Sequence, residues 1–140
     1  MGLRRLSREY ALQILYAIDV CKLEAEEAQE SFWKEHKSGK KVLEFATTLV
    51  EGTVKNLSQI DSLIIKYALN WDIHRMASID RNILRQATFE ILYLLDIPIN
   101  VIINEAVEVA KKYSTEESGK FVNGILDKIK ETRSAKDLKE

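Results

Sequence analysis

Three arginines crowd the start of the chain, Arg4, Arg5 and Arg8, within about one helical turn of each other. A guanidinium offers forked donors that suit phosphate oxygens and base edges, so this cluster is a candidate nucleic-acid contact. Exposed arginines can also do no more than solubilise a helix start. Cations at a helix N-terminus oppose its dipole, however, and that mild conflict hints at function. Tyr16 falls on the side of the same segment away from its apolar stripe. An aromatic ring and cationic side chains can then share one surface, as single-stranded RNA recognition requires. Packing of Tyr16 against the rest of the molecule is an equally good account.

The other reactive residue types do not assemble into chemistry. His36 and His74 are the only histidines, and neither has a second ligand at the spacing of a helical metal site, so solvated or capping roles are expected and no metal. Cys21 stands alone, which excludes an internal disulfide or a multi-cysteine zinc site. It lies on an apolar stripe with no histidine nearby, so a buried thiol is expected rather than a nucleophile. Phe121-Val122-Asn123-Gly124 lacks the glycine and lysine pattern of a phosphate loop. Carboxylates are numerous, but their spacing shows no convergent pair. These readings point to a protein with no catalytic residues and no cofactor.

The elements that must position the arginines are helical. The chain has 140 residues, a net charge of −1, 46% apolar and 31% charged residues, which suits one ordinary globular domain. Near neutrality argues against a generic polyanion binder, so any nucleic-acid site must be local. The signs are segregated: the arginine start, an acidic stretch of Glu24, Glu26, Glu27 and Glu30, and a basic end through Lys128, Lys130, Arg133, Lys136 and Lys139. No apolar run could span a bilayer and no signal core precedes the first helix; a cytoplasmic protein is expected.

Apolar residues recur at three- and four-residue spacing almost throughout. The first stripe is Tyr10, Ala11, Ile14, Leu15, Ile18 and Cys21, with Arg5, Glu9 and Tyr16 opposite. Ala25, Ala28 and Phe32 predict a solvated second helix ending near Ser38-Gly39, and Val42, Ala46, Leu49, Val50 and Thr53 a core-facing third. Ser58-x-x-Asp61 has capping-box form ahead of Ile60, Leu63, Ile64, Tyr67 and Ala68. The pattern breaks from Asn70 to Ser78. A strong fifth stripe, Ile79, Ile83, Leu84, Ala87, Ile91, Leu94 and Leu95, predicts a central helix that stops at Ile97 before Pro98, with Asn100 available to cap the sixth. Val107, Ala110 and Tyr113 lie on that helix. Ser114-x-x-Glu117 is a second capping-box pattern, and Phe121, Val122, Ile125, Leu126 and Ile129 form the last stripe. The expected fold is all-α, about seven helices in two halves, residues 1–57 and 58–133, packed as one domain with a polar tail to residue 140.

Several linked motifs are more specific than periodicity: Ile79-Asp80-Arg81, Ile83-Leu84-Arg85, Ala87 and Phe89-Glu90; Asp96-Ile97-Pro98; Ile103-Asn104-Glu105-Ala106-Val107-Glu108 with Ala110-Lys111; and Lys120-Phe121-Val122-Asn123-Gly124-Ile125-Leu126-Asp127-Lys128. With Arg4-Arg5, Ala11 and Leu15-Tyr16 in the first helix, they resemble the NusB family over nearly the whole chain. That resemblance implies two small helical bundles and a role as a transcription antitermination factor. Members bind single-stranded boxA RNA together with NusE, a ribosomal small-subunit protein, within an RNA polymerase complex that holds other Nus factors. It implies RNA contacts at Arg4, Arg5 and Arg8, with Tyr16 nearby, although Leu6 stands where some relatives are basic. A second RNA-proximal region falls at Glu117, Lys120 and Phe121, and NusE contacts at His74, Arg75, Asp80 and Arg81. A homodimer that masks the RNA surface is also compatible with the family.

Phe121 reads equally as the edge of its stripe or as a stacking platform, Asn104 and Glu105 as surface contacts or intrahelical bonding, and Gly124 as a residue that permits close helix packing. Two other classes compete. An RNA-binding module preceding a ribosomal RNA cytosine methyltransferase would need a methyl-donor domain for which 140 residues leave no room. A protein adaptor is suggested by the near-neutral charge and the acidic second helix, and predicts partner binding without RNA.

Overall fold

The computed structural model describes residues 2–139, with side chains described for 2–133. Among the described residues the apolar periodicity becomes seven α-helices and no strand: α1 (Leu3–Cys21), α2 (Ala25–Glu35), α3 (Lys40–Lys55), α4 (Leu57–Tyr67), α5 (Ser78–Tyr93), α6 (Ile99–Tyr113) and α7 (Glu116–Lys139), with a single 3-10 turn, Ile73–Arg75, between α4 and α5. None of these helices is long and apolar enough to cross a membrane.

α1 lies against α3, and Ala11, Ile14, Leu15, Ala46, Leu49 and Val50 are buried in one continuous core. α2 closes this half through aromatic edges: Phe32 and Trp33 meet Tyr10 with ring centroids 5.2 and 5.8 Å away. His36 stacks on Phe32 at 4.0 Å, and its Nδ1 lies 3.1 Å from the Phe32 carbonyl oxygen. It is therefore a capping histidine at the end of α2.

In the second half α6 and α7 pair with each other and both pack on α5, which also touches α1, α3 and α4. Every residue of α5 from Asp80 to Leu92 is buried. Its apolar side, with Leu84 and Ile91, joins Ile102, Leu126 and Ile129 in the core. Its polar side is buried too, which is tolerable because most of the groups are paired, although one oxygen each of Asp80, Gln86 and Thr88 has no hydrogen-bond partner. Arg81 and Asn82 donate to Asp19 of α1 at 2.7 and 3.0 Å. Arg85 forks onto Asp61 of α4 at 2.8 and 2.9 Å, and Gln86 donates to the Arg8 carbonyl at 3.1 Å. The polar face of α5 thus ties it to α1 through Asp19 and Arg8 and to α4 through Asp61. At its far end Arg133 of α7 donates to the carbonyls of Ile91 and Ile97 at 2.8 and 2.7 Å and to those of Glu90 and Leu94. These include acceptors that a helix C-terminus leaves without an intrahelical partner.

Several local expectations are corrected. α4 begins at Leu57 after Asn56, without a side-chain cap; the Ser58 and Asp61 capping box does not form, because Ser58 is already the second residue of the helix, and Asp61 is bonded to Arg85. Asn100 lies inside α6, whose cap position is held by Pro98, where a missing N–H leaves no bond unmade. The cap of α7 is Thr115 rather than Ser114, its hydroxyl accepting from the Ser118 amide at 3.0 Å. α5 includes Ser78 and ends at Tyr93, so Leu95 sits past it and is exposed. Cys21, in the last turn of α1, is exposed rather than buried. A Cβ at Gly124 would meet nothing within 4 Å, so that glycine does not serve helix packing. The polar tail expected after residue 133 falls on the backbone of α7, and its side chains lie outside the described residues.

Candidate nucleic-acid interface

One row of α1, Arg5, Glu9, Gln13 and Tyr16, recurs at four, four and three residues and so shares a side of the helix. From Arg5 to Tyr16 it extends about 16 Å. Its partners lie on α6. Arg5 forks onto Glu105, with Nε 2.9 Å from Oε1 and a second bond from Nη2 to Oε2. Glu9 accepts from Lys112 at 2.8 Å and from the Tyr113 hydroxyl at 3.0 Å, and Gln13 reaches the same hydroxyl at 3.4 Å. The Arg5 hydrogen bond holds the Glu105 carboxyl below its ordinary range against the opposing effect of burial. Burial, then Glu9, pushes the Tyr113 phenol up.

At the arginine end, Arg4 is exposed with its guanidinium 4.7 Å from the centre of the Phe45 ring. It borders an open hollow of about 670 Å³ between the starts of α1 and α3, lined also by Lys41 and Ser7. Ser7 donates to the Val42 carbonyl at 3.0 Å, which fixes the two helix starts together.

At the other end, the first turn of α7 meets the loop before α5 in a cleft of about 520 Å³. Trp71 and Phe121 form its aromatic wall, edge to face with centroids 5.2 Å apart. Lys120 and Glu117 stand at the rim, 3.6 Å apart and both exposed. Asp80 lies at the floor, 8% exposed. One of its oxygens accepts from the Ser118 hydroxyl at 3.2 Å, while the other has no hydrogen-bond partner. A buried acceptor left half satisfied is uncommon, and this oxygen is closed off from solvent in a residue that lines the cleft.

Burial pushes the Asp80 carboxyl above its ordinary range, against the hydrogen bond from Ser118. A carboxyl whose folded pKa exceeds its unfolded value of about 3.9 contributes stability that is complete below that value and is lost as pH rises through the folded one. Asp80→Asn is therefore expected to be more stable than the parent in urea at neutral pH, with the gap closing in acid. A less stable variant at neutral pH would mean that the dipole at the start of α5 outweighs burial.

The sequence candidates divide on these facts. Arg4, Arg5 and Tyr16 lie along the α1 edge, and Glu117, Lys120 and Phe121 around the cleft. Arg8 departs from expectation: it is 4% exposed and committed to Glu90, so it offers nothing to a phosphate. Arg81 departs too, being buried and bonded to Asp19 and to the carbonyls of Ile73 and Met76. Asp80 belongs to the cleft floor rather than to an outer partner face, whereas His74 and Arg75 are exposed on the 3-10 turn. Trp71 is 56% exposed, and its only mark in the sequence is that of a large aromatic inside a polar break in the helical pattern. Among the described residues no group of histidine, cysteine and carboxylate side chains could hold a metal ion.

An all-helical fold with a cationic and aromatic edge defines the class: a small helical protein whose exposed chemistry suits binding. The model of the NusB family matches residues 5–131, and the chain belongs to that family, one of transcription antitermination factors rather than enzymes. The transcription antitermination protein NusB of Thermodesulfovibrio yellowstonii is 48% identical over 136 residues, covering 90% of each chain. That of Myxococcus xanthus is 45% identical over 133 residues, 92% of this chain and 95% of its own. Among solved structures, T. maritima NusB matches with a TM-score of 0.84 at 42% identity, covering 94% of this chain and 92% of its own. A chain from the crystal structure of antitermination factors NusB and NusE in complex with dsRNA matches with a TM-score of 0.87 at 31% identity, covering 94% and 98%.

Proposed function

We propose that this chain is one half of a two-protein reader of boxA RNA, acting with NusE in an antitermination complex on RNA polymerase with other Nus factors, in the cytoplasm. The observation that carries this reading is the pair of surfaces flanking the α1 edge: cations at Arg4, Arg5 and Lys41 at one end, and the Trp71 and Phe121 cleft over a half-bonded Asp80 at the other. The cations neutralise phosphates and fix the register of the strand. Phe121 and Trp71 stack on a splayed base at the mouth of the cleft, a contact that every base can make. Tyr16, near the middle of the track, supports a second base. NusE approaches from the exposed 3-10 turn with His74 and Arg75, beside the exposed Leu69. The solved relative with NusE and dsRNA supports a shared RNA surface.

The test is a gel-shift titration with boxA RNA, a scrambled strand and a boxA duplex, each with and without NusE. Single-stranded boxA is expected to bind best and to gain affinity from NusE. Phe121→Ala should weaken it by about 1–3 kcal/mol, the usual worth of one stacked base. Removing Arg4 and Arg5 together should flatten the salt dependence by about 1.4 in slope, at roughly 0.7 per phosphate on a single strand. Unchanged RNA affinity in both variants would sink the assignment.

A further inference from the structure

The acidic second helix lies outside the surfaces proposed above for RNA. α2 carries Glu26, Glu27 and Glu35 at its ends and Glu30 between them, against one lysine, Lys34. Glu26 and Glu30 are one turn apart, a like-charge spacing that works against the helix. Among the described residues none of Glu26, Glu27, Glu30 or Glu51 forms an ion pair; the pair nearest to them in the chain, Lys40 with Glu44 at 3.8 Å, uses other residues of α3.

Between α2 and α3 runs an open groove of about 520 Å³, with Trp33 and Leu43 as its apolar surface and Glu26, Glu30 and Glu51 as its carboxylates. Leu43 is 37% exposed. Trp33 is held in place by edge contacts to Phe32 and Tyr10, with centroids 5.0 and 5.8 Å away. A preset aromatic surface flanked by unpaired charges of one sign is the composition of a partner-binding hot spot rather than of a merely solvated face. α2 and α3 pack on the sides of α1 that carry Tyr10 and Ser7, away from the row of Arg5, Glu9, Gln13 and Tyr16. The groove is therefore separate from the RNA edge, and its carboxylates repel phosphates.

We infer that this groove docks a basic amphipathic helix of a protein partner, with apolar anchors against Trp33 and Leu43 and lysines or arginines against Glu26, Glu30 and Glu51. This is the helix-in-groove mode of recognition, with charge complementarity setting partner choice and association rate. It lets the chain hold RNA on one side and a basic protein segment on the other.

The test titrates the isotope-labelled full chain with a synthetic peptide of about four helical turns bearing leucines on one face and lysines on the other. Saturable NMR shifts confined to α2 and α3 around Trp33 and Leu43 are expected. Substituting serine for the leucines at unchanged charge should weaken binding about tenfold, as should Glu26→Lys, Glu30→Lys and Glu51→Lys combined. Should that variant fail to fold, Glu26→Gln, Glu30→Gln and Glu51→Gln serve in its place. Shifts spread over the whole surface, equal binding by the serine peptide, or indifference to the glutamate substitutions would overturn the inference. So would a concentration-dependent doubling of mass that the same substitutions abolish, because a second copy would then be the occupant.

Discussion

Arg8→Met is expected to lower the unfolding free energy by about 3–5 kcal/mol, because it strands a buried carboxylate. Arg8 Nε lies 3.1 and 3.2 Å from the two Glu90 oxygens and Nη2 2.8 Å from one of them, and the two side chains are 5% and 2% exposed. Burial pushes the Glu90 carboxyl up while the Arg8 hydrogen bonds pull it back, so the arginine is what makes the site tolerable for a charge. Glu105, 3.6 Å away on the other arm of Arg8, is a second carboxylate whose charge pushes Glu90 further up, so the loss of the arginine leaves two like charges without it. The double variant Arg8→Met with Glu90→Leu should recover much of the loss, since a buried pair replaced as a whole by apolar groups is often neutral. Arg4→Met, on an exposed side chain over Phe45, should cost less than about 1 kcal/mol. Urea midpoints at unchanged m would report all three. An Arg8→Met protein within about 1 kcal/mol of the parent would remove the pair as the tie between the halves. If the prediction holds, loss of RNA binding in any Arg8 variant reports unfolding rather than a lost phosphate contact.

Arg8 also marks where sequence reading reaches its limit. Spacing alone put it with Arg4 and Arg5, since three nearby arginines look alike until a partner is known. Glu90 lies 82 residues away, and no local pattern announces that contact. The same holds for α5. Its apolar stripe was readable, but Arg81, Asn82, Arg85, Gln86 and Glu90 look like a solvated face in one dimension. They are an interface only because α1 and α4 bring Asp19, Arg8 and Asp61 to them. The helices were legible because a 3.6-residue period is a local property of the chain. Caps were legible only to within a residue or so: Thr115 and Ser114 are both competent hydroxyls, and the hydrogen bond chose between them. At the cleft, Phe121, Lys120 and Glu117 stood out through the family resemblance. Trp71 and the half-bonded Asp80 emerged only when the loop before α5 was seen folded onto α7.

Gly52→Ala and Gly124→Ala are expected to change stability in opposite directions, although both glycines sit inside helices. A Cβ on Gly52 would fall 2.1 Å from Cζ and 2.2 Å from Cε1 of Phe89, well inside van der Waals contact. Phe89 is buried and stacks on Tyr93 with centroids 5.5 Å apart, while Tyr93 is hydrogen-bonded to Gln59, so the ring has little room to retreat. Relief must come from α3 moving off α5. Overpacking of this kind costs about 1–3 kcal/mol, more than the roughly 1 kcal/mol that alanine gains over glycine in a helix. Gly124 has open space around it, so Gly124→Ala should gain about 0.5–1 kcal/mol through the lower chain entropy of the unfolded state. Phe89→Leu shortens the ring that Gly52 admits. The pair Gly52→Ala with Phe89→Leu should then be less destabilised than the sum of its single changes, by at least about 0.5 kcal/mol for residues in direct contact. Additive losses in that cycle would mean that the glycine serves α3 itself and not the approach of α3 to α5. Coupled losses would locate the close packing of α3 on α5 at this one ring, which lies about two turns along the same side of α5 from Asn82, one of the residues that hold Asp19.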